Sequence, residues 1–356
     1  MPGKLPYSLR MGAKQRRNPE NNPGGPGELA LIRRIQKRTL SRSQSGITLG
    51  IGDDCALLKL RPGEEAAVTT DLSIAGRHFL LELHPPEVVG HRTLARGLSD
   101  LAAMGARPVA AFVSLGLPRE LTVPAIQKSS WAERFYDGLL ALADACKTPL
   151  AGGDLAQSPV ALADIVLVGA VPNGKALLRS GARIGHVIYV TGRLGGAAAG
   201  LERLLGARGL RTVGGFPEIS KKMSSLASAH LYPQPRIAQG LWLQRKTMAT
   251  AAIDMSDGLS TDLNHLCEES GVAADLDAAS LPMHAGATSE QALHGGEDYE
   301  LLFTAAPTAR MPRHIGRVPV TRIGRMVRRR KGAPLVTLRG DEGDAPLVPK
   351  GWQHFS

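Results

Sequence analysis

Carboxylates set beside glycines or at the ends of apolar runs are the residues of this sequence whose type and spacing could do chemistry. They are Asp53 and Asp54 in Gly50-Ile51-Gly52-Asp53-Asp54, Asp71 after Thr69-Thr70, Asp154 in Gly152-Gly153-Asp154, Asp254 and Asp257 in Asp254-Met255-Ser256-Asp257-Gly258, and Glu297 with Asp298 after Gly295-Gly296. Asp100 joins them from a helical stretch. Each has an ordinary alternative: Asp257 could cap a helix opening at Gly258, Asp100 could pair with Arg96 four residues earlier, and Asp53-Asp54 could form an Asx turn. As a set they point further. Gathering ionised carboxylates away from water costs several kcal/mol per ion unless cations neutralise them. Hard oxygen donors without His or Cys suit Mg²⁺, which is usually held by a few carboxylates, waters and substrate phosphates. Glycine lets backbone N–H groups approach phosphate oxygens where a Cβ would intervene. The pattern implies Mg²⁺-assisted phosphate chemistry.

Other chemistries find little support. The Gly192-Arg193-Leu194-Gly195-Gly196 turn lacks G-x-G-x-x-G spacing and the acid about 20 residues later, so close strand-to-helix packing explains it better. There is no G-x-x-x-x-G-K-[ST] element and no nucleophile elbow. Cys55, Cys146 and Cys267 are too few and too far apart for a disulfide framework or zinc knuckle, and read as reduced, packed thiols.

The elements that must position these acids follow from periodicity and punctuation. Leu29, Ile32 and Ile35 recur at helical spacing from Glu28. A β-type run over 66–70 ends at Asp71, and 87–104 reads as an amphipathic helix stopped by Gly105, with Pro108 beyond. A strand over 109–115, a helix over 131–146, a tight Gly152-Gly153-Asp154 loop and a strand over 165–171 follow. Pro172-Asn173-Gly174 is a turn, after which the pattern restarts with a strand over 187–191, a helix opening at 192–196, a strand ending at Asp254, a helix over 258–270 and a strand over 299–304. The 356 residues suit two domains at roughly 100 to 200 residues each. The expected class is α/β or α+β, with units 28–171 and 172–356 behind a disordered basic arm, 1–27.

The formal charge of +11 is unevenly placed. Residues 1–26 carry five basic groups against one acid and residues 306–332 carry nine and no acid, so the remainder is near neutral. A run such as Arg328-Arg329-Arg330-Lys331 is more often a solvated surface than a recognition element, and nucleic-acid binding is the minority expectation. The longest apolar segment, 162–171, contains Asp164 and is far short of the ~20 residues of a membrane span. No apolar h-region follows the basic start, so the cytoplasm is the expected location.

Six motifs carry a family resemblance. Gly50-Ile-Gly-Asp-Asp-Cys-Ala-Leu, Thr69-Thr70-Asp71 with His78-Phe79, Leu98-Ser-Asp-Leu-Ala-Ala-Met-Gly105, Gly152-Gly-Asp154, Ile253-Asp-Met-Ser-Asp-Gly-Leu259 and Gly295-Gly-Glu-Asp-Tyr-Glu-Leu301 follow one another as in the thiamine-monophosphate kinases, over about residues 28–352. The resemblance implies a two-domain aminoimidazole-ribonucleotide synthetase-like fold that pairs through its N-terminal domain into a homodimer, with transfer of phosphate from ATP to thiamine phosphate. It implies several Mg²⁺ ions on Asp54, Thr69, Thr70, Asp71, Asp100, Asp154, Asp254 and Asp257. ATP would be met by Gly153, Arg179, Ser256 and Tyr136, and thiamine phosphate by His78, Glu297 and Trp352. The sequence departs from the family in Leu155, where Thr is usual, and in Gly97, where Asn commonly stands, which puts rate in question more than reaction type. Other enzymes of the superfamily fit less well: selenophosphate synthetase calls for a reactive cysteine in a glycine-rich N-terminal segment, and the hydrogenase-maturation factor for a C-terminal cysteine, whereas nothing after Cys267 is a cysteine.

Overall fold

Alternating and continuous apolar runs build two sheets, and amphipathic helices cover them. The computed structural model describes residues 28–40, 46–124, 129–206, 212–213, 216–217 and 224–351, so the basic arm 1–27 and Trp352 lie outside the described residues. In chain order α1 (Glu28–Leu40) precedes a short ribbon, β1 (Ile47–Leu49) and β2 (Leu57–Leu58). Then come β3 (Glu64–Ile74), α2 (Pro86–Ala103), β4 (Arg107–Leu117), α3 (Trp131–Cys146), β5 (Leu150–Gln157) and β6 (Leu162–Pro172). The later half runs β7 (Val187–Thr191), α4 (Gly196–Gly206), β8 (Thr212–Val213), β9 (Phe216–Pro217), α5 (Ser224–Leu231), α6 (Ile237–Arg245), β10 (Ala251–Asp254) and α7 (Leu259–Ser270). It closes with β11 (Ala273–Asp277), α8 (Ser289–His294), β12 (Leu301–Ala305), β13 (His314–Ile315), β14 (Val318–Val327), β15 (Val336–Gly340) and β16 (Gly343–Pro346).

The first sheet has the order β3-β6-β4-β5, antiparallel except for the parallel β4–β5 pair. One face is packed under α2 and α3 by Val113, Ile165 and Leu167, all buried. The other face is apolar too, but Val68 and Leu72 on β3 remain 63% and 44% exposed. The second sheet has the order β10-β12-β7-β14-β11-β15-β16, with β13 on β14. Its core joins Ile188, Ile253 and Leu302 to Leu263 and Leu266 of α7. The larger core is continuous across the two halves, because Ile237 and Leu243 of α6 and Phe303 of β12 pack into the same cluster as Leu94 and Leu98 of α2. Among the described residues no helix is long and apolar enough to cross a membrane.

Local chemistry explains the helix ends. Ser130 and Glu133 form a reciprocal capping box at the start of α3, and Gly105, with φ of 63°, ends the turn after α2. Two expectations change. Asp71 does not end its strand, since β3 runs to Ile74. Gly152-Gly153-Asp154 is not a loop but the middle of β5, where glycine is needed because a Cβ on Gly153 would stand 1.9 Å from the Val113 carbonyl oxygen. Of the cysteines Cys267 is buried as expected, but Cys55 is exposed on the glycine-rich loop between β1 and β2. The basic segment 306–332 supplies the inner strand β14, and Arg329, Arg330 and Lys331 are exposed after it.

Helices α2 and α3 cross backbone to backbone. A Cβ at Gly90 would lie 1.9 Å from the Phe135 carbonyl oxygen, and one at Gly138 1.8 Å from that of Glu87. Gly138→Ala is therefore expected to destabilise the protein by about 1–3 kcal/mol, the usual cost of overpacking, read as a lowered Tm in thermal denaturation; an unchanged Tm would mean that the helices slide apart freely.

Candidate active site

The site is built along one face of α2. Residues 92, 96 and 100 recur at i, i+4 and i+8, so their side chains stand in a row about 6 Å apart. Arg92 donates from Nη2 to Glu297 Oε1 at 2.6 Å. Arg96 forks onto Asp71 of β3, Nε to Oδ2 at 2.9 Å and Nη2 to Oδ1 at 2.7 Å. Asp100 accepts from the Thr69 hydroxyl. The neighbouring Ser99, facing the later half, donates to Asp254 Oδ2 at 2.7 Å.

Asp254 ends β10 and the chain turns through Ser256 and Asp257 into α7. The expected cap is supplied differently: Asp262, one turn into α7, accepts from the amides of Asp257 at 3.2 Å and Gly258 at 3.0 Å. Segment 295–299 is clasped onto this turn, with the Glu297 amide donating to the Ser256 carbonyl at 2.8 Å and the Tyr299 amide to that of Met255 at 2.9 Å. Glu297 and Tyr299 both hold positive φ, 67° and 50°, an uncommon conformation for residues with a Cβ. Asp298 lies against α4, accepting from the amides of Gly195 at 2.6 Å and Ala197 at 3.1 Å. It thereby occupies the helix N-terminus that a phosphate would need, which removes the nucleotide-loop reading of Gly192–Gly196.

These groups line a cavity of about 450 Å³. Asp71, Asp100, Asp254, Ser256 and Asp257 form one end, while Phe79, Leu80, Ala197, Ala198, Leu201 and Leu205 give it apolar wall, and His78 and Glu297 line it as well. The His78 Nδ1 accepts from the Ile74 amide at 3.1 Å, which places the proton of a neutral ring on Nε2. Like charges crowd the acidic end. Burial and then Asp100 push Asp254 up to about 7. Burial, with Asp254 and Asp257, pushes Asp262 up to about 8, and burial and Asp71 raise Asp100. Glu297 differs: burial works to raise it, but Arg92 and His230 prevail and bring it down to about 2. Behind it, His230 and His84 meet Nε2 to Nε2 at 3.0 Å, and burial with Arg92 lowers His84 to about 4.

A second cluster stands at the opposite edge of the first sheet. Asp54, Tyr136, Gly153 and Asp154 line a separate cavity of about 480 Å³ with the loop 50–56. Register shows how far apart the clusters are. Asp71 pairs with Ile165, Ile165 with Val113, and Val113 with Gly153, so three strand spacings, about 14 Å, separate the rows. Asp154, next to Gly153, leaves the other face. Thr70 also leaves that face, away from Asp71, because neighbouring strand residues alternate. Two ligands of one Mg²⁺ lie within about 4 Å, so Asp71 and Asp154 of a single chain cannot share an ion. Among the described residues no three His, Cys, Asp or Glu side chains form a group that could hold a metal. The all-oxygen donors and their unrelieved repulsion nevertheless fit Mg²⁺ completed by phosphates and waters.

Comparison with known proteins gives the family. Residues 52–171 match the family described as AIR synthase related protein, N-terminal domain. Thiamine-monophosphate kinase of Escherichia coli O157:H7 is 40% identical over 343 residues, 93% of this chain and 98% of that protein. This chain belongs to the thiamine-monophosphate kinase family. The crystal structure of the family member from Stenotrophomonas maltophilia K279a is 40% identical and superposes with a TM-score of 0.75, covering 88% of this chain and 97% of that one. AaThiL complexed with AMPPCP and TMP is 33% identical, with a TM-score of 0.70, covering 92% and 97%.

Of the residues the family resemblance singled out, the structure brings Asp71, Asp100, Asp254, Asp257, Ser256, His78 and Glu297 to one cavity, with Thr69 bonded to Asp100. Arg179 is exposed between the halves, and its charge lowers both Asp100 and Asp254. Asp54, Tyr136, Gly153 and Asp154 fall in the other cavity. Gly351 packs on the Asp257 carbonyl, which brings the chain to this turn just before Trp352. At Gly97 a Cβ would lie 2.9 Å from a terminal methyl of Leu167, so a larger side chain here would have to push that leucine aside. Sequence reasoning missed Arg92, Arg96, Ser99 and Asp262; the i, i+4, i+8 spacing from Arg92 to Asp100 was the available signal.

The crowding has a pH signature. Asp254, Asp262 and Asp298, the last pushed up to about 7 by burial, keep protons in the fold that the unfolded chain releases near the ordinary carboxylate value of 3.8. Each therefore withdraws stability as pH rises toward its folded value. His84, neutral down to about 4 instead of 6.5, acts oppositely below 6.5. Above pH 6.5 the acids act alone, so the Tm of metal-free protein should fall from there to about pH 8.5, and Mg²⁺, which takes ionised carboxylates, should raise Tm more at the alkaline end. A Tm flat across that window, indifferent to Mg²⁺, would contradict the crowding.

Proposed function

We propose that this chain transfers the γ-phosphoryl group of ATP to thiamine phosphate, giving ADP and thiamine diphosphate in one in-line displacement. What carries the reading is the coincidence of full-length family membership with a cavity whose acids come from both halves and whose remaining wall is apolar. Asp71, Asp100, Asp254 and Asp257 would hold Mg²⁺ on one side, with Thr69 fixing Asp100, and Asp54 and Asp154 would hold it on the other. Bound there, Mg²⁺ neutralises the two polyanions that must meet. The acceptor phosphate is already an anion near neutral pH, so no general base is needed. His78 and Glu297 serve thiamine phosphate, while Arg179, Ser256, Gly153 and the buried Tyr136 serve ATP. Residues 28–171 and 172–356 act as two domains that close on the substrates, and the reaction's need for ATP suits the cytoplasm.

The separation of the two acid clusters supports a homodimer. The outer face of the first sheet carries exposed Val68 and Leu72 beside partly buried Phe112, Val166 and Val168, an apolar surface suited to a second copy. Thr70, Asp164 and Asp154 lie on this same face. A two-fold pairing of these faces would set the Asp154 edge of one copy along the Asp71 edge of the other, the edges that one chain keeps about 14 Å apart.

Purified protein given Mg-ATP and thiamine phosphate should form thiamine diphosphate, and product absent under these conditions would refute the activity. Asp71→Asn and Asp154→Asn should each lower kcat about 100-fold or more with Tm retained. Leu72→Asp should shift sedimentation toward the monomer and abolish turnover; an active monomer would overturn the dimer.

A further inference from the structure

We propose that Arg96 is a catalytic residue that contacts the phosphate of thiamine phosphate; the inference deepens the kinase reading and rests on it. The row along α2 gives the argument. Arg92 holds Glu297, Arg96 holds Asp71 and Asp100 holds Thr69, in that order. The order runs from the carboxylate assigned to the organic part of the acceptor toward the acids assigned to the metal. The acceptor phosphate must lie between those two, since it joins the organic part to the incoming phosphoryl group. Arg96 is the α2 residue at that level.

Charge and exposure agree. Arg77 and Arg96 are the arginines that line the cavity among the described residues; Arg77 is exposed, whereas the Arg96 side chain is 16% exposed. Arg96 feels the carboxylates of Asp71 and Glu297 together, so it sits where the two ends of the cavity meet. Its planar fork already engages both oxygens of Asp71, and the same fork fits two oxygens of a phosphate. With Asp71 turned to a cation, the Arg96 fork would be free for two oxygens of the acceptor phosphate. In the transfer, an acceptor phosphate oxygen forms the new bond to Pγ while the bond from Pγ to the β–γ bridging oxygen breaks, and ADP leaves with that electron pair. Arg96 stays protonated throughout and offsets charge on the acceptor and the moving group.

The test compares binding of thiamine phosphate and of thiamine by isothermal titration in Mg²⁺, together with turnover. Arg96→Gln should weaken thiamine phosphate about 30-fold, as loss of a buried charge contact does, leave thiamine unchanged, and lower kcat about 100-fold. Arg96→Lys, keeping the charge without the fork, should recover part of the binding. Unchanged thiamine phosphate affinity in both variants, or equal weakening of both ligands in a folded variant, would overturn the proposal. If Arg96→Gln does not fold, Arg96→Lys decides by the same comparison. Wild-type protein that neither binds nor phosphorylates thiamine phosphate would instead sink the kinase reading itself, and this assignment with it.

Discussion

Mutual repulsion among half-hidden carboxylates is the constraint on which the rest of this structure depends. Asp71, Asp100, Asp254 and Asp257 come from a strand, a helix and a strand-to-helix turn, and all four line one cavity. A fold seeking stability alone would replace them with apolar residues. Partners in the protein restrain the acids without cancelling them: Thr69 on Asp100, Ser99 on Asp254 and Arg96 on Asp71. Burial, with the neighbouring acids, raises Asp254 to about 7 and Asp262 to about 8. Positive charge supplied to such an arrangement would steady it.

That constraint also explains why α2 is so thoroughly buried. The helix touches the first sheet, α3, α6 and β10, and only small residues make this possible. A Cβ at Gly240 of α6 would lie 1.9 Å from the Ala102 carbonyl, matching the close crossing with α3 at Gly90. Packed on several sides, α2 cannot rotate to relieve the acids by turning them to solvent. Helix rigidity, register with β3 and the spacing of Arg92, Arg96 and Asp100 are thus one structural fact seen from three directions.

Much of this was legible in the sequence where local chemistry decides. The start of α3 follows from Ser130 and Glu133, and the stop of α2 from Gly105, because caps act within one turn. Of the acids read together from the sequence, Asp71, Asp100, Asp254 and Asp257 line one cavity, whereas Asp54 and Asp154 line another. What escaped was decided over distance. Gly152-Gly153-Asp154 reads as a loop by composition, yet it is a strand because β4 comes close enough to exclude any side chain at Gly153. Asp262, which no motif marks, turns back to accept from the amides of Asp257 and Gly258. Arg96 and Asp100 suggested an i, i+4 pair, and each instead found a partner on β3. The separation of Asp71 from Asp154 depends on strand order, which no linear motif encodes.

The strained backbone at Glu297 and Tyr299 belongs to the same logic. Two non-glycine residues with positive φ cost on the order of 1–3 kcal/mol each, and segment 295–299 could relax if it were free to move. It is not free, because its amides bond the carbonyls of Ser256 and Met255, and Gly296 packs so tightly that a Cβ would stand 2.5 Å from the Ser256 oxygen. Asp298 adds a further anchor on α4. The clasp joins the turn carrying Asp254 and Asp257 to the residue that Arg92 keeps ionised, so the acidic end and the Glu297 wall of the cavity cannot shift independently. The bonds that hold the strained joint therefore fix the distance between them.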